Sequence, residues 1–350
     1  MKTVFVAMSG GIDSSYSAYL LKEEGYKVVG FTFDLLPSSL RNERNRKMCC
    51  SAVSVDRAKN VAGRLAIPHY VLNMREAFEQ HVIRRFVEEY GMGRTPNPCV
   101  LCNRYIKFDL FLRKAAAMGA DLVATGHYAR IGETARGFAL KKGADGTKDQ
   151  SYFLYPIQRD DLKMIDFPLA ATTKETVRQM FGVLGQAAVP ESQDICFIPD
   201  NDYRAFVRQF IPQRKGPVIL SDGRQIGDHE GVHLYTIGQR RGINIPFKEP
   251  LYVVELRARD NVVVVGGKDA LARIGLRADD INMLSSAVEG EARAKVRYRQ
   301  KEEKCSYAVR DGLLEIVFDE PISSITPGQS VVLYDGETVL GGGTIRETFA

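Results

Sequence analysis

The chain has 350 residues, of which 45% are hydrophobic and 26% charged, and its formal net charge is +5 at pH 7. That composition is ordinary for a globular protein of two or three domains, and so mild a charge does not by itself indicate a nucleic-acid partner. The start, MKTVFVAMSGG, has too short an apolar run for a signal peptide, and no apolar stretch reaches the length of a membrane span, so we expect a cytoplasmic protein without a membrane segment.

The first part of the sequence alternates short apolar runs with segments of helical spacing. Strands are predicted at TVFVAM, KVVGFTF, HYVLNM and DLVATGHY, and helices at SSYSAYLLKEEGY, VDRAKNVAGRLAIP, REAFEQHVIRRFVEEYG and RYIKFDLFLRKAAAM. This alternation is typical of βαβ units and predicts a Rossmann-like parallel sheet with helices on both faces. Ligands bind such sheets outside the carboxyl ends of the strands, where both SGGIDS and the pair Gly126-His127 are expected.

The segment SGGIDS joins the first predicted strand to the first predicted helix. Gly10 and Gly11 let a bound anion approach the backbone, which a Cβ atom would obstruct. The helix directs its N–H groups and the positive end of its dipole to the same place, and Ser9 and Ser14 add hydroxyl donors. Asp13 is a candidate helix cap or magnesium ligand. Because the GK[ST] ending of a Walker A motif is missing, we expect phosphate binding without γ-phosphate transfer. A plain glycine turn with a serine cap is the alternative.

Cysteine is sparse, and the spacing of one pair stands out. The six cysteines are Cys49, Cys50, Cys99, Cys102, Cys196 and Cys305. Thiols stay reduced in the cytoplasm, so a disulfide framework is not expected. The CxxC spacing at 99 and 102 also suits a zinc half-site or a thioredoxin-like redox pair. No second CxxC or HxxxH accompanies it and the phosphate loop argues against a thioredoxin fold, but spacing alone leaves both alternatives open.

Cys102 is the cysteine with the clearest prediction of reactivity. Asn103 is the predicted N-cap of the next helix, which places Cys102 just before a helix N-terminus, with Arg104 and Lys107 in the first turn. Both features favour the thiolate. Cys196 lies in PESQDICFIPD, whose prolines predict a tight loop. Cys305 is expected to be a small buried hydrophobe, and Cys49 and Cys50 are left as structural or unassigned.

From about residue 274 the pattern changes to short alternating runs separated by Asp-Gly and Pro-Gly turns, which predicts an antiparallel β-barrel. In EARAKVRYRQK (291–301) a strand would place five basic residues on one face for contact with phosphates, although a solvated strand face is the alternative. The region between, about 166–273, is rich in glycine and basic residues, and Arg240 and Arg241 are candidates for RNA-backbone contacts. The run RNERNRK (41–47) is either a basic loop near the site or solvated surface.

Taken together, these motifs resemble those of the tRNA-specific 2-thiouridylase family, whose members place sulfur on the wobble uridine of certain tRNAs. The resemblance covers nearly the whole chain and rests on AMSGGIDSS, GRTPNPCVLCNRYIKF, ATGHYAR, KDQSYFLY, ICFIPD, YTIGQRRG, VRYRQ, IVFDEP, TPGQSVVLYDG and LGGG. It implies a PP-loop ATP-binding catalytic domain at 1–165 with a returning loop at about 189–203, a small mixed central tRNA-binding domain at 166–273, and a tRNA-binding barrel at 274–350.

The resemblance also assigns residues. ATP, with Mg²⁺, is expected at Ala7, Met8, Ser9, Gly10, Gly11, Ile12, Asp13, Ser14, Phe33 and Gly126. Contacts with tRNA are expected at Asn97, Pro98, His127, Lys148, Asp149, Gln150, Arg297, Tyr298 and Gln329, where Asn97 and Pro98 belong to the loop beside the target base. Cys196 matches the cysteine that carries a persulfide, and Cys102 matches the second thiol, which can form a disulfide with it.

One position departs from the family pattern. Many members carry an aspartate where this chain has Cys99. Cys99, Cys102 and Cys196 are therefore also candidate ligands of three irons in a [4Fe–4S] cluster, whose fourth iron would hold hydrosulfide. The persulfide alternative needs only Cys102 and Cys196.

The expected reaction has two steps: adenylation of the uridine C2 oxygen with release of pyrophosphate, then attack of sulfur on C2 with loss of AMP. The sulfur would come from a cysteine desulfurase, a sulfur-relay protein or free sulfide. One rival is a PP-loop ligase or synthase that adenylates a small-molecule carbonyl and needs neither paired cysteines nor a basic strand. Another is an RNA-binding redox sensor that has lost ATP hydrolysis, against which the intact SGGIDS argues.

Overall fold

The computed structural model describes residues 1–40, 52–135, 137–180, 182, 184 and 195–350. Cys49, Cys50, the run at 41–47 and the whole of PESQD (190–194) lie outside these residues. The contacts divide the described chain into two compact units. The first unit comprises Met1–Val82, Cys99–Asp202 and Glu337–Val339, and the second comprises Ile83–Pro98, Tyr203–Gly336 and Leu340–Ala350.

The elements are numbered in chain order. The strands are β1 (Thr3–Ala7), β2 (Lys27–Asp34), β3 (His69–Asn73), β4 (Leu122–Thr125), β5 (Ala129–Thr134), β6 (Gly137–Lys142), β7 (Ile165–Asp166), β8 (Gly216–Leu220), β9 (Gln225–His229), β10 (Tyr252–Arg257), β11 (Val262–Gly266), β12 (Ala272–Met283), β13 (Glu289–Lys295), β14 (Glu303–Arg310), β15 (Leu313–Ser323), β16 (Ser330–Asp335) and β17 (Thr338–Phe349). The α-helices are α1 (Ile12–Glu23), α2 (Ala52–Arg64), α3 (Arg75–Phe78), α4 (Arg84–Gly91), α5 (Pro98–Leu101), α6 (Leu112–Ala117), α7 (Lys174–Gln179) and α8 (Tyr203–Val207).

The described residues also form two wide π-helical segments and several 3₁₀ turns. Glu79–Ile83 connects α3 to α4, and Cys102–Phe111 connects α5 to α6. The 3₁₀ turns are Ser38–Leu40, Ser151–Phe153, Arg159–Met164, Pro199–Asn201, Val232–Leu234 and Lys268–Leu271. In the part of the chain that the structure describes, no helix is long and apolar enough to cross a membrane.

The first unit is built on a parallel sheet in the order β3-β2-β1-β4-β7. Val4 and Val6 on the central strand β1 are fully buried, as expected when helices cover both faces of a sheet and every side chain of a strand must be apolar. The predicted Rossmann-like parallel sheet is therefore confirmed. The register pairs Ala7 with Phe31 and with Thr125, so β1, β2 and β4 end close together at one edge.

The second unit contains a mixed four-stranded sheet and a closed barrel. The sheet runs β10-β11-β8-β9. The barrel runs β12-β15-β14-β13-β16-β17, and β17 closes it by pairing with β12. The pairings of β12 with β15 and β17, of β13 with β14 and β16, and of β14 with β15 are antiparallel, so the predicted C-terminal antiparallel barrel is confirmed. Cys305 is 2% exposed in its core, and burial raises the pKa of this thiol to about 12, which agrees with the expected structural role.

The prediction of one strand through EARAKVRYRQK is wrong. β13 ends at Lys295, and the N–H of Gln300 donates to the carbonyl of Arg297 at 3.1 Å in a turn. The Arg297 guanidinium donates to the carbonyl of Ile237 at 3.1 Å and to the Thr326 hydroxyl. The five basic residues therefore do not share one strand face, because tertiary hydrogen bonds replace the ladder after Lys295.

Two valines of the barrel differ in burial and should therefore differ in their contribution to the free energy of unfolding. Val331 on β16 is fully buried, whereas Val317 on β15 is 39% exposed. We expect Val331→Ala to lower the free energy of unfolding by about 1–3 kcal/mol through lost apolar burial and the cavity left behind. Val317→Ala should change it by less than about 0.5 kcal/mol. Urea denaturation of both variants checks this, and equal losses would contradict the barrel packing.

Candidate active site

The SGGIDS loop leaves β1 at its carboxyl end and is held by its own serines. The N–H of Ser9 donates to the Ser14 hydroxyl at 3.1 Å, and that hydroxyl donates to the carbonyl of Gly11 at 3.0 Å. Gly11 is the N-cap of α1 and makes no side-chain cap, so the first N–H groups of the helix open toward the loop. This is the local geometry of an anion site.

Two glycines allow other backbone segments to pack closely on the loop. Gly10 has φ +73°, and a Cβ atom there would lie 2.3 Å from the carbonyl oxygen of Ser54. A Cβ on Gly126 would lie 2.7 Å from the nitrogen of Ser14. Gly126 follows β4, whose last residue pairs with Ala7. The predicted ATP residues from Ala7 to Ser14 and Gly126 thus lie at one sheet edge.

Phe33 lies near the end of the neighbouring strand β2 and is 8% exposed. Its ring packs edge-on against Phe111, with centroids 4.9 Å apart. The loop is braced from the same strand, because the Thr32 hydroxyl donates to the carbonyl of Met8 at 2.7 Å and lies 2.9 Å from Nε2 of His69. A buried polar chain therefore fixes the point where β1 enters the loop.

The Asp13 carboxylate accepts hydrogen bonds from two side chains, those of Lys174 and Tyr128. Lys174 Nζ donates to both carboxylate oxygens at 2.7 Å, and the Tyr128 hydroxyl donates to Oδ1 at 2.7 Å. The Lys174 side chain is 6% exposed and that of Asp13 is 32% exposed. Asp13 is not the helix cap, since Gly11 holds that position. Sequence analysis missed Lys174, because nothing in TTKETV points to a residue 161 positions earlier.

The predicted tRNA residues of the first unit make internal contacts. Nδ1 of His127 lies 2.7 Å from the Thr125 hydroxyl and Nε2 lies 3.4 Å from Lys107 Nζ. Burial, together with the Lys107 ammonium, lowers the pKa of His127 well below its usual value, so the ring stays neutral at pH 7. Lys107 is therefore directed at His127 in this structure.

The KDQ run at 148–150 is likewise tied into the fold. The Gln150 amide oxygen accepts from the N–H of Tyr128 at 3.0 Å, which links this run to the Asp13 contacts. The buried Asp149 carboxylate accepts from the N–H and hydroxyl of Ser151. Lys148 is half-buried. The roles of these residues toward tRNA stay predictions.

The helix that carries Cys99 and Cys102 begins earlier than predicted. α5 starts at Pro98 and runs without a break into the segment Cys102–Phe111, so Asn103 is not an N-cap and Cys102 does not precede the helix. Proline suits a first helical position because its missing N–H would be unpaired there. The Asn103 side chain instead donates to the carbonyl of Phe153 at 2.8 Å.

The two cysteine-bearing segments of the first unit pack on a common helix. Segment Cys102–Phe111 packs on α3, and Phe78 of α3 meets Phe197 edge-on with centroids 5.7 Å apart. Cys196 lies in a turn in which the N–H of Ile198 donates to the carbonyl of Ile195. Cys99 is exposed, Cys102 buried and Cys196 half-buried, and none forms a disulfide in the described part of the chain.

The remaining predicted tRNA residues belong to the second unit. Asn97 and Pro98 end its Ile83–Pro98 segment, and Arg297, Tyr298 and Gln329 lie in turns next to barrel strands. The Lys295 ammonium lies 5.6 Å from the centroid of the Tyr298 ring.

Within residues 1–40, 52–135, 137–180 and 195–350, no group of three or more His, Cys, Asp or Glu side chains could hold a metal ion.

Three family models match successive parts of the chain. They are described as the tRNA methyl transferase HUP domain, over residues 2–200, the tRNA methyl transferase PRC-barrel domain, over 204–267, and the aminomethyltransferase beta-barrel domain, over 273–345.

Three curated relatives match over at least 95% of their own length. The protein named tRNA-specific 2-thiouridylase MnmA in Carboxydothermus hydrogenoformans is 45% identical, covering 99% of this chain and 98% of its own. The protein of the same name in Halothermothrix orenii is 44% identical, covering 100% of this chain and 100% of its own. The one in Geotalea uraniireducens is 46% identical, covering 99% of this chain and 95% of its own. A solved structure titled as a predicted subunit of tRNA methyltransferase from Methanocaldococcus jannaschii matches at 20% identity and TM-score 0.33, over 60% of this chain and 86% of that chain, too low to support a statement about function.

The tight packing of Gly10 generates a prediction about nucleotide binding. A methyl group at Gly10 must displace either the loop or the Ser54 backbone. We expect Gly10→Ala to weaken ATP binding at least about tenfold. Gly25→Ala is the matched control, because Gly25 has φ +84° but open space around its Cα. Equilibrium dialysis with labelled ATP measures both, and equal affinities for the two variants would contradict the packing argument.

The ion pair of Lys174 generates a stability prediction. Lys174→Met leaves the partly buried Asp13 carboxylate without its cation. We expect the free energy of unfolding to fall by about 1–3 kcal/mol, less than for a fully buried pair because Asp13 is one-third exposed. Lys163→Met, at an exposed position, serves as control. Denaturant titrations at pH 7 compare the two, and a Lys174→Met curve that overlays the control would show that the pair contributes nothing.

Proposed function

The chain belongs to the tRNA-specific 2-thiouridylase family, and we propose on that basis that it is a tRNA-uridine 2-sulfurtransferase, which uses ATP to activate the C2 oxygen of the wobble uridine and then replaces that oxygen with sulfur. The observation that carries the proposal is the 45% identity to a protein of that name over 99% of the chain. A small-molecule ligase is not favoured, because such an enzyme needs neither the CxxC helix nor the two domains after residue 200.

In the first step the uridine O2 attacks the α-phosphorus of ATP, the bond to the β-phosphate breaks, and N3 loses its proton. Pyrophosphate leaves. The carbonyl oxygen alone is a poor leaving group, whereas O2 bonded to AMP can depart as AMP. The N–H groups at the start of α1 and the hydroxyls of Ser9 and Ser14 would hold the departing pyrophosphate.

The pairing of Asp13 supports this use of the loop. An unpaired carboxylate beside the phosphate site would repel an anionic nucleotide. Lys174 and Tyr128 neutralise and fix that carboxylate. Because its oxygens already bind these groups, the described residues do not fit an Mg²⁺ ion held by Asp13. That Mg²⁺ enters the site bound to ATP stays a prediction.

In the second step the terminal sulfur of a Cys196 persulfide attacks C2 and expels AMP. The Cys102 thiolate then attacks the Cys196 sulfur, which releases 2-thiouridine and leaves a Cys102–Cys196 disulfide. A two-electron thiol reductant restores both thiols, and the persulfide of a desulfurase or relay protein then transfers its outer sulfur to Cys196. Free sulfide would instead attack the Cys102–Cys196 disulfide at the Cys196 sulfur, which forms the Cys196 persulfide and releases the Cys102 thiolate without a reductant. The shared packing of both cysteine segments on α3 supports a thiol pair that meets during the reaction.

The iron–sulfur alternative asks for three convergent thiolates. Cys99 is exposed and Cys102 buried, and in the described residues these two and Cys196 do not form a group that could hold a metal. The cysteines in this conformation do not fit a cluster. Cys99 then has no assigned role in sulfur transfer.

In vitro thiolation of unmodified tRNA tests the proposal. We expect Cys102→Ala and Cys196→Ala to lose at least about 10³-fold of the 2-thiouridine yield, because each removes a covalent partner. Cys305→Ala, at a buried thiol of the barrel, is the control and should retain activity.

Cys99→Ala separates the two sulfur mechanisms. The persulfide proposal predicts activity within about threefold of wild type in protein that contains no iron. Loss of activity in Cys99→Ala, together with iron and sulfide in anaerobically purified wild type, would establish the cluster instead. Release of pyrophosphate with a small carbonyl substrate and no tRNA thiolation would favour the ligase.

A further inference from the structure

The sequence TPGQ forms a tight turn between β15 and β16. The N–H of Gln329 donates to the carbonyl of Thr326 at 3.1 Å, and Gly328 has φ +91°, which is the signature of a type II turn with proline at its second position. The N–H of Gly328 donates to the carbonyl of Ile345, and the N–H of Ile345 donates to the carbonyl of Gln329, both at 2.8 Å. The turn is thereby fixed to the barrel strand β17.

This turn binds the loop of residues 94–97, which precedes α5 in the same unit. The N–H of Thr95 donates to the carbonyl of Pro327 at 2.9 Å. Nε2 of Gln329 donates to the carbonyls of Thr95 at 2.9 Å and of Pro96 at 3.2 Å. A Cβ atom on Gly328 would lie 2.8 Å from the Thr95 nitrogen, so only glycine permits this approach.

Two further contacts hold the same place. The Thr95 hydroxyl donates to that of Thr236 at 3.1 Å, and the Arg297 guanidinium joins the carbonyl of Ile237 to the Thr326 hydroxyl. Residues of TPNP, YTIGQRRG, VRYRQ and TPGQ, which stand far apart in the sequence, therefore meet around one loop.

The loop of residues 94–97 needs hydrogen-bond donors from other parts of the chain. Pro96 and Pro98 have no N–H, so the segment has few donors with which to form its own backbone hydrogen bonds. Proline also disfavours the helical conformation for the residue before it, so Thr95 and Asn97 favour extended backbone, and no helix forms over 94–97. The Gln329 side chain carries two amide hydrogens, and the two carbonyls of Thr95 and Pro96 take them.

We infer that Gln329 is a positioning residue: with the glycine beside it, it fixes the backbone before Asn97 and Pro98 and so sets where the target-base loop and the start of α5 lie. The assignment of that loop to the base rests on the proposed function. Gln329 cannot donate to RNA from this amide without releasing the loop. A direct RNA contact would change tRNA affinity, whereas positioning changes the rate for bound tRNA.

Hydrogen–deuterium exchange on the full chain tests the positioning without reference to activity. Gln329→Glu keeps the shape of the side chain and removes its donor, and Gly328→Ala forces the turn and the loop apart. We expect peptides that cover 94–101 to exchange at least about tenfold faster in both variants. Gly312→Ala is the control, because Gly312 has φ +75° in another barrel turn with open space around it. Exchange at 94–101 that equals wild type in Gln329→Glu overturns the inference.

Single-turnover thiolation provides the functional readout. Gln329→Met, which removes the donor without adding a charge, should lower the rate at saturating tRNA about tenfold or more, since small misplacements of reacting groups are costly, and leave the Kd for tRNA within about twofold. A weaker Kd with an unchanged rate at saturation would make Gln329 a direct RNA contact and overturn the inference. If wild type thiolates no tRNA, the proposed function fails, and the exchange result alone decides the positioning role.

Discussion

The structure depends on the close approach of backbone segments around the phosphate loop at the carboxyl edge of the parallel sheet. Gly10 lies against the backbone of Ser54, and Gly126 lies against the first turn of α1. A single methyl group at either position would separate these segments. The close packing holds the N-terminus of α1 beside the loop, and a helix N-terminus favours bound anions.

The charge around this loop is balanced by residues that the chain brings from far away. Asp13 would oppose a phosphate ligand if it stood alone, and Lys174 cancels its charge from a position 6% exposed to solvent. Tyr128 joins the pair and connects it, through its backbone, to Gln150. One hydrogen-bonded chain thus connects the phosphate loop with a run expected to meet tRNA, which gives the site a defined shape before any ligand binds.

The barrel of the second unit carries a turn that hydrogen-bonds another loop of the same unit. Its TPGQ turn holds the loop before α5, and Arg297 is committed to a turn instead of a strand face. Several residues expected to contact tRNA therefore already make protein contacts, which is a reason to separate their effects on affinity from their effects on rate.

The sequence alone determined the parallel sheet, the phosphate loop and the barrel, because period-two and helical spacing and glycine turns are local signals. Through the family resemblance it also predicts that Cys102 and Cys196 handle the sulfur. Only the tertiary structure decided that Lys174 pairs with Asp13, that the helix begins at Pro98, and that the strand after Lys295 gives way to a turn. These depend on partners distant in sequence, whose hydrogen bonds and charges outweigh local propensity and leave no periodic trace along the chain.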